Sequence, residues 1–368
     1  MKPLSSFKYV IRNKKKVQSL VLSICIGVFL VCFPTMIINQ CTYLSKDTYE
    51  KPLSIYSFVM KNNSPISDAT INNVKNNENT ERILPAGRGS LDLPILIGKT
   101  SSDLIHLRSV DISYFTNKLN LKLVEGKLPD NNTLTAIVIH KKVALSNGIK
   151  LNDILFGNVP VVAIIDGPSV INFISIPRLY SDEANVLRNE GMMVISKEGK
   201  IKELNNFLET MPIDELTIYN INTAAQNDKK SSSILNLVSY VLEILVIIVL
   251  SITLGNINYI NMYHRKRELG VLLAMGYTKK QLYIKLIKEA IICCLLGYFA
   301  GICLTISTGW ILNAAVWSAQ GKELPLWDPP TLLLTLFIPV FVIIFSIIPA
   351  VKALKNTDCI EIIEGTTL

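Results

Sequence analysis

Few residues in this chain have the types and spacing that enzyme chemistry requires. Gly98-Lys99-Thr100 has the ending of a phosphate-binding loop, but Leu93 stands where that loop needs its first glycine. His106 and His140 lack the partner histidine or paired cysteines of a metal site, and His140, which ends an alternating strand, is expected on the surface. No serine-hydrolase or zinc-peptidase motif is present. We therefore expect no catalytic residue, no metal site, no cofactor bound by this chain and no enzymatic activity.

Glu243 is the acidic residue with the most unusual surroundings, since it interrupts the apolar run 234–260. An ionisable side chain within a membrane span is costly and is a functional candidate by default. Two interpretations stay open, namely a structural pairing with a neighbouring residue or contact with a ligand or ion.

The elements that carry these residues are predominantly apolar. Of the 368 residues 49% are hydrophobic and only 18% are charged, whereas soluble domains have about 25% charged residues. A membrane-crossing helix needs about 20 apolar residues, and four runs reach that length. We predict four transmembrane helices, over residues 17–39, 234–260, 290–313 and 329–351.

The distribution of basic residues predicts the orientation of these helices. Positively charged loops stay in the cytoplasm, and the basic residues cluster in the N-terminal segment 1–16 and in the segment 261–289. Both termini, including the tail 352–368, are therefore expected in the cytoplasm, and residues 40–233 and the loop 314–328 outside. The net charge of +8 follows from this topology, so we expect no nucleic-acid partner.

Residues 40–233 have the pattern of a mixed α/β domain. Alternating or compact apolar runs flanked by turn formers predict strands at the start of 135–156 and at 160–167, 191–196 and 215–221. Ser67 or Asp68 is expected to cap a short helix, and a further helix is predicted over 202–211. Of the seven cysteines only Cys41 lies in this region, so we expect no internal disulfide.

The segment His264–Ala290 has strong local signals for two helices separated by a break. Leu269, Leu272, Leu273 and Met275 are predicted to form one apolar side of the first helix. Gly276 suits a helix stop, and Thr278-x-x-Gln281 is a capping box that begins a second helix. The segment 261–289 is therefore expected to form a helix–break–helix elbow at the inner membrane surface.

The order R-K-R-E-L-G-V-L-L-A-M-G-Y-T, followed by Glu289 and L-L-G-Y-F-A-G, resembles the signature of the MacB/FtsX-type ABC transporter permeases. E-G-K-L-P at 125–129 and the strands after it are similar to the outer domain of MacB-type members. The resemblance covers nearly the whole chain. It implies a four-span membrane protein with a large α/β extracytoplasmic domain between spans one and two, located in the bacterial cell membrane.

The resemblance also implies partners. In this family the elbow docks on a separate cytoplasmic ABC ATPase, which binds ATP and magnesium, and two permease copies or homologous permeases pair. An extracytoplasmic adaptor is a further expected partner. The residues expected to contact the ATPase are Arg265, Arg267, Glu268, Leu272, Met275, Gly276, Tyr277, Thr278 and Gln281.

Two further features lie in the predicted spans. Gly297-x-x-x-Gly301 allows close helix contact in span three, within the chain or at a dimer seam; the alternative is that these glycines face lipid. Within the resemblance, a haem exporter would hold its ligand at the outer dimer seam, a place that Glu243, Met36 and Cys32 could reach.

Two functions follow from the resemblance. The first is ATP-driven mechanotransmission to the outer domain for export of a substrate such as a peptide, an antibiotic, a lipid or haem. The alternative is an FtsX-like regulator that activates cell-wall hydrolases without transport. The length of the outer segment favours the first.

Overall fold

The computed structural model describes residues 12–130, 135–176, 182–211, 216–327 and 329–344. The chain forms two compact units: one contains the described parts of 1–36, 236–312 and 325–368, and the other 37–235 and 313–324. The predicted N-terminal segment is described only from residue 12 onward. The end of span four at 345–351 and the tail 352–368 lie outside the described residues.

The first unit is built from helices. Three of them are long, α1 (Lys14–Ser45), α7 (Ile221–His264) and α9 (Lys279–Leu312), and two are short, α8 (Lys266–Ala274) and α10 (Pro329–Thr335). The segments Val17–Glu50 and Lys279–Gln320 are long and apolar enough to cross a membrane, and Tyr240–Leu250 and Thr331–Ile344 are shorter apolar helical segments. The four predicted spans stay a prediction.

The interior of this unit is apolar and closely packed. Ile24 and Val28 of α1 lie against Cys294 and Tyr298 of α9 and against Ile338. A Cβ atom on Gly297 would lie 2.6 Å from the Cβ of Ile24, and one on Gly301 would lie 2.7 Å from the Cβ of Val28. Since real Cβ contacts are not that short, only glycine permits this approach of the two helices.

The second unit is α/β and contains all the strands that the described residues form. Its strands are β1 (Tyr56–Lys61), β2 (Thr80–Pro85), β3 (Gly87–Pro94), β4 (Lys99–Leu107), β5 (Lys122–Gly126), β6 (Ala136–His140), β7 (Ile154–Leu155), β8 (Val159–Asp166), β9 (Asn172–Ser175), β10 (Gly191–Ser196) and β11 (Leu216–Tyr219). Its short helices are α2 (Asp68–Asn76), α3 (Ser109–Lys118), α4 (Lys141–Asn147), α5 (Glu183–Asn189) and α6 (Ile201–Glu209).

These strands form two sheets. The smaller is antiparallel in the order β11-β1-β10-β2, and the larger is mixed in the order β3-β4-β9-β6-β8-β5, with β7 paired to β8. In the larger sheet β4 pairs with β9 in parallel, and so does β6 with β8. Tyr56 is the register partner of Ile195, so the smaller sheet joins segments that are far apart in sequence.

Strand alternation builds the core of this unit in layers. Tyr56 and Phe58 of the small sheet meet Val138 and Phe173 of the large sheet in one central cluster, which also takes Phe115 of α3. The opposite face of the small sheet packs on α2 and α6, and that of the large sheet packs on α4.

One local prediction is confirmed here, and another is wrong. Ser67 caps α2 by accepting a hydrogen bond from the Thr70 amide at 3.2 Å. The prediction that His140 lies on the surface is wrong, because its side chain is fully buried. Its Nδ1 accepts from the Lys142 amide at 3.2 Å, and its Nε2 lies 3.4 Å from the carbonyl oxygen of Gly167. His140 therefore caps α4 from the interior.

Candidate functional site

The predicted elbow consists of α8, a one-residue reversal and the start of α9. Gly276 has φ +91°, a conformation that favours glycine. The Gly276 amide donates to Leu273 O at 2.9 Å, and the Tyr277 amide donates to Leu272 O at 3.2 Å. These two bonds are those of a Schellman motif, in which the glycine ends the helix and satisfies its last carbonyls.

The second helix begins with the predicted capping box. The Gln281 amide donates to the Thr278 Oγ1 at 3.3 Å, and the Thr278 amide donates to the Gln281 Oε1 at 2.9 Å. This reciprocal pair satisfies two amides at the start of α9 that have no partner within the helix. The capping box is thereby confirmed, and the direction of the chain is set on both sides of Gly276.

A small apolar cluster holds the two helices together. Leu269 and Leu272 of α8 and Leu282 of α9 are buried against one another, with Leu273 and Tyr277 packed around them. The leucines thus form the predicted apolar side. Met275 does not join it, because its side chain is 59% exposed.

A buried ion-pair network adds a second connection between the helices. The Arg265 Nη1 donates to the Glu289 Oε2 at 2.8 Å, and its Nε donates to the Glu268 Oε2 at 3.1 Å. The Lys285 ammonium lies 3.8 Å from the Glu268 Oε1. The side chains of Arg265, Glu289 and Lys285 are 9%, 7% and 5% exposed.

The charges of this network act on Glu268, which is half-exposed. Partial burial disfavours its charged form, but the hydrogen bonds and positive charges of Arg265 and Lys285 outweigh that effect. The pKa of the Glu268 carboxyl is therefore below its ordinary value, and this residue carries a negative charge at neutral pH. The guanidinium of Arg265 is engaged inside the chain, whereas Glu268 keeps part of its surface free.

Several side chains of the elbow are exposed to solvent, where a partner can contact them. Val271 and Met275 are 50% and 59% exposed, and Thr278 and Gln281 are exposed beside them. Two apolar side chains thus stand next to a polar helix start. Arg267 lies in α8, but its side chain is outside the described residues. The assignment of the elbow residues to ATPase contact stays a prediction.

Glu243 and the glycine pair lie apart from the elbow. Glu243 is buried, and its Oε1 lies 3.1 Å from the Thr35 Oγ1 of α1. Gly297 and Gly301 contact α1 of the same chain, and their role at a seam between copies is untested. Cys32 and Met36 line a crevice too narrow for a water molecule. Sequence reasoning missed Lys285, because its neighbours in the sequence give no sign that its side chain is buried.

The C-terminal part of the chain matches a known family. Residues 240–357 match the FtsX-like permease C-terminal domain, and this range includes the whole elbow. This part of the chain therefore has the features of an FtsX-like permease.

Curated proteins with related sequences match parts of the chain. The chain is 28% identical over 98 residues to the macrolide export ATP-binding/permease protein MacB of Bordetella avium, which covers 27% of this chain and 15% of the relative. It is 25% identical over 183 residues to MacB 1 of Yersinia pestis, covering 48% and 27%. It is 26% identical over 137 residues to the probable syringafactin export ATP-binding/permease protein SyfD of Pseudomonas syringae, covering 37% and 20%. The matched segments thus span at most about a quarter of these relatives.

Two solved structures align with part of the chain. One is the periplasmic region of MacB from Actinobacillus actinomycetemcomitans, with 14% identity and a TM-score of 0.30, covering 48% of this chain and 93% of that one. The other is the extracellular domain of the ABC-type transporter YknZ from Gram-positive bacteria, with 16% identity and a TM-score of 0.27, covering 45% and 99%.

Proposed function

We propose that this chain is the permease subunit of an ABC transporter and that its elbow receives force from a separate cytoplasmic ATPase. The observation that carries the proposal is the elbow itself: a glycine-hinged helix pair, joined internally by leucines and by Arg265, lies inside the segment that matches the FtsX-like permease domain. Force transmission needs this internal connection, because a displacement of α8 must move α9 and must not be absorbed by side-chain rearrangement.

The exposed residues supply the contact with the ATPase. Val271 and Met275 present apolar surface, and methionine adapts readily to a partner's groove. Negatively charged Glu268 beside them favours a basic group on the partner. ATP and magnesium are bound by the partner, and this chain supplies no catalytic group. The names of the MacB relatives, which join ATP-binding and permease parts in one protein, support a functional connection between those parts.

The proposed membrane arrangement has four spans, with both termini and the elbow in the cytoplasm. The basic residues of the N-terminal segment 1–16 and of the elbow itself support this orientation. Residues 313–324 form one compact unit with residues 37–235, as expected if the loop 314–328 and the large α/β domain share one side of the membrane. Two permease chains pair in this arrangement, and ATP-driven closure moves the outer domains to export a substrate.

Purification of the complete tagged chain from its native membrane tests the proposal. We expect an ABC ATPase to copurify and its hydrolysis rate to change when the elbow is altered by Gly276→Val. A control substitution with a similar backbone conflict, Gly199→Val in the outer domain (φ +72°), should leave hydrolysis unchanged. Absence of any ATPase from the purified complex would refute the proposal.

The same preparation separates export from the FtsX-like alternative. A hydrolysis rate that rises with an added peptide, antibiotic, lipid or haem supports export. A copurifying cell-wall hydrolase supports the regulator, and an outer adaptor would appear as a further extracytoplasmic protein.

A further inference from the structure

Glu243 lies in an apolar part of helix α7 and faces helix α1. It is 5% exposed, and the Thr35 side chain that it meets belongs to a residue that is 9% exposed. The neighbouring residues Leu242 and Ile244 are exposed, which in a membrane means contact with hydrocarbon. A carboxylate here would have neither water nor the bulk dielectric to stabilise its charge.

No positive charge compensates Glu243 in the part of the chain that the structure describes. Its carboxyl group is buried and meets the Thr35 hydroxyl, and no described cationic side chain forms an ion pair with it. The titratable group facing it from α1 is the thiol of Cys32, which is itself 1% exposed. Cys32 and Met36 also line a crevice that is too narrow for a water molecule.

The Thr35 hydroxyl lies 2.8 Å from Val31 O and 3.1 Å from the Glu243 Oε1. A carbonyl oxygen only accepts, and a hydroxyl has a single proton to donate. A threonine in a helix commonly donates its hydroxyl proton to the carbonyl oxygen four residues earlier. If Thr35 donates to Val31 O in this way, the hydrogen bond between Thr35 and Glu243 needs a proton from the carboxyl group.

We propose that Glu243 is a proton-binding site: a carboxylic acid that keeps its proton at neutral pH and donates it to the Thr35 Oγ1, joining α7 to α1 without net charge. This role rests on the proposed membrane arrangement and goes beyond the proposed function, because it concerns the apolar helices and not the elbow. The neutral contact lets the two helices shift within hydrocarbon without moving a charge through it.

Infrared spectroscopy of the complete chain in lipid nanodiscs tests the proposal, because protonated carboxylic acids and carboxylates absorb separately. At pH 7 we expect Glu243→Gln to remove one carboxylic-acid carbonyl band. Thr35→Val should keep that band and move it to higher frequency, since the carboxyl group loses its acceptor, and Thr35→Ser should leave it in place. Glu203→Gln, at an exposed residue of α6, is the control and should remove no such band.

Two results would overturn the proposal. If Glu243→Gln leaves the carboxylic-acid region unchanged, Glu243 is ionised and Thr35 is the donor. If the band disappears in Glu243→Gln but does not move in Thr35→Val, the acid is protonated without donating to Thr35. The threonine variants keep the test decisive should Glu243→Gln fail to fold.

Discussion

Removal of Arg265 should damage the elbow far more than removal of a surface ion pair. Arg265→Ala takes away the partner of Glu289, whose Oε2 accepts at 2.8 Å and whose Oε1 has no hydrogen-bond partner among the described residues. In the same part of the chain, Lys285 is then the positive charge that stays near this nearly buried carboxylate. The substitution thus leaves an uncompensated charge in a site from which water is largely excluded.

The magnitude follows from the burial of this pair. Breaking a buried ion pair by removing one partner costs about 3–5 kcal/mol, and because Lys285 compensates in part we expect a value near the lower limit. Glu289→Gln keeps the shape of the side chain and leaves Arg265 paired with Glu268, so its cost should be about 1–2 kcal/mol. Replacing both partners by apolar residues, Arg265→Met with Glu289→Leu, should recover most of the loss.

Thermal unfolding of the purified chain in detergent, followed by circular dichroism, measures these differences. At roughly 2 °C per kcal/mol for a chain of this size, Arg265→Ala should lower the melting temperature by about 6 °C. The control is Asp92→Ala, which breaks the exposed Lys99–Asp92 pair and should cost at most about 1 kcal/mol. Equal effects of Arg265→Ala and Asp92→Ala, or additive losses in the double variant, would refute the reasoning.

Three further predictions concern other parts of the chain. Gly276→Ala should lower the free energy of unfolding by about 1–2 kcal/mol, because the φ of +91° at this position strains any side chain. The same substitution should alter ATPase coupling, whereas Gly199→Ala should lower the melting temperature without altering coupling. Thr278→Ala should lower the free energy of unfolding by about 1 kcal/mol, because the helix cap is lost. Ser67 is a helix cap in the outer domain, so Ser67→Ala should lower the free energy of unfolding by a similar amount without changing ATPase coupling. Burial lowers the pKa of His140 to about 4, below its ordinary 6.5. The neutral ring therefore stabilises the fold above pH 6.5, and the free energy of unfolding falls by roughly 3 kcal/mol between pH 6.5 and pH 4. Melting temperatures measured against pH should show this loss in the parent chain and not in His140→Asn.

Much of the elbow could be predicted from the sequence because its signals are local. Gly276 ends one helix and Thr278 with Gln281 begins the next within six residues, so no distant contact is needed to define the break. Strands such as Gly191–Ser196 were equally predictable, since a compact apolar run between turn formers favours one conformation.

Contacts between distant segments could not be predicted in the same way. The pairing of Arg265 with Glu289 depends on the angle at which α9 leaves the hinge, and no short motif encodes that angle. His140 ends an alternating strand like a surface residue, but its ring is buried and lies close to the carbonyl oxygen of Gly167, a contact that no local pattern predicts. The order of the small sheet likewise depends on pairings such as Tyr56 with Ile195, which only the assembled core selects.

Site-specific photo-crosslinking in intact cells tests the central claim most directly. A photoreactive residue at Met275, which is 59% exposed on the elbow, should crosslink to an ABC ATPase, and the same residue at Phe156, 63% exposed in the outer domain, should not. Mass spectrometry of the crosslinked product identifies the partner. Capture of the ATPase through Met275 alone is the result that we predict; capture of extracytoplasmic proteins through Met275, or of the ATPase through Phe156, would contradict the account.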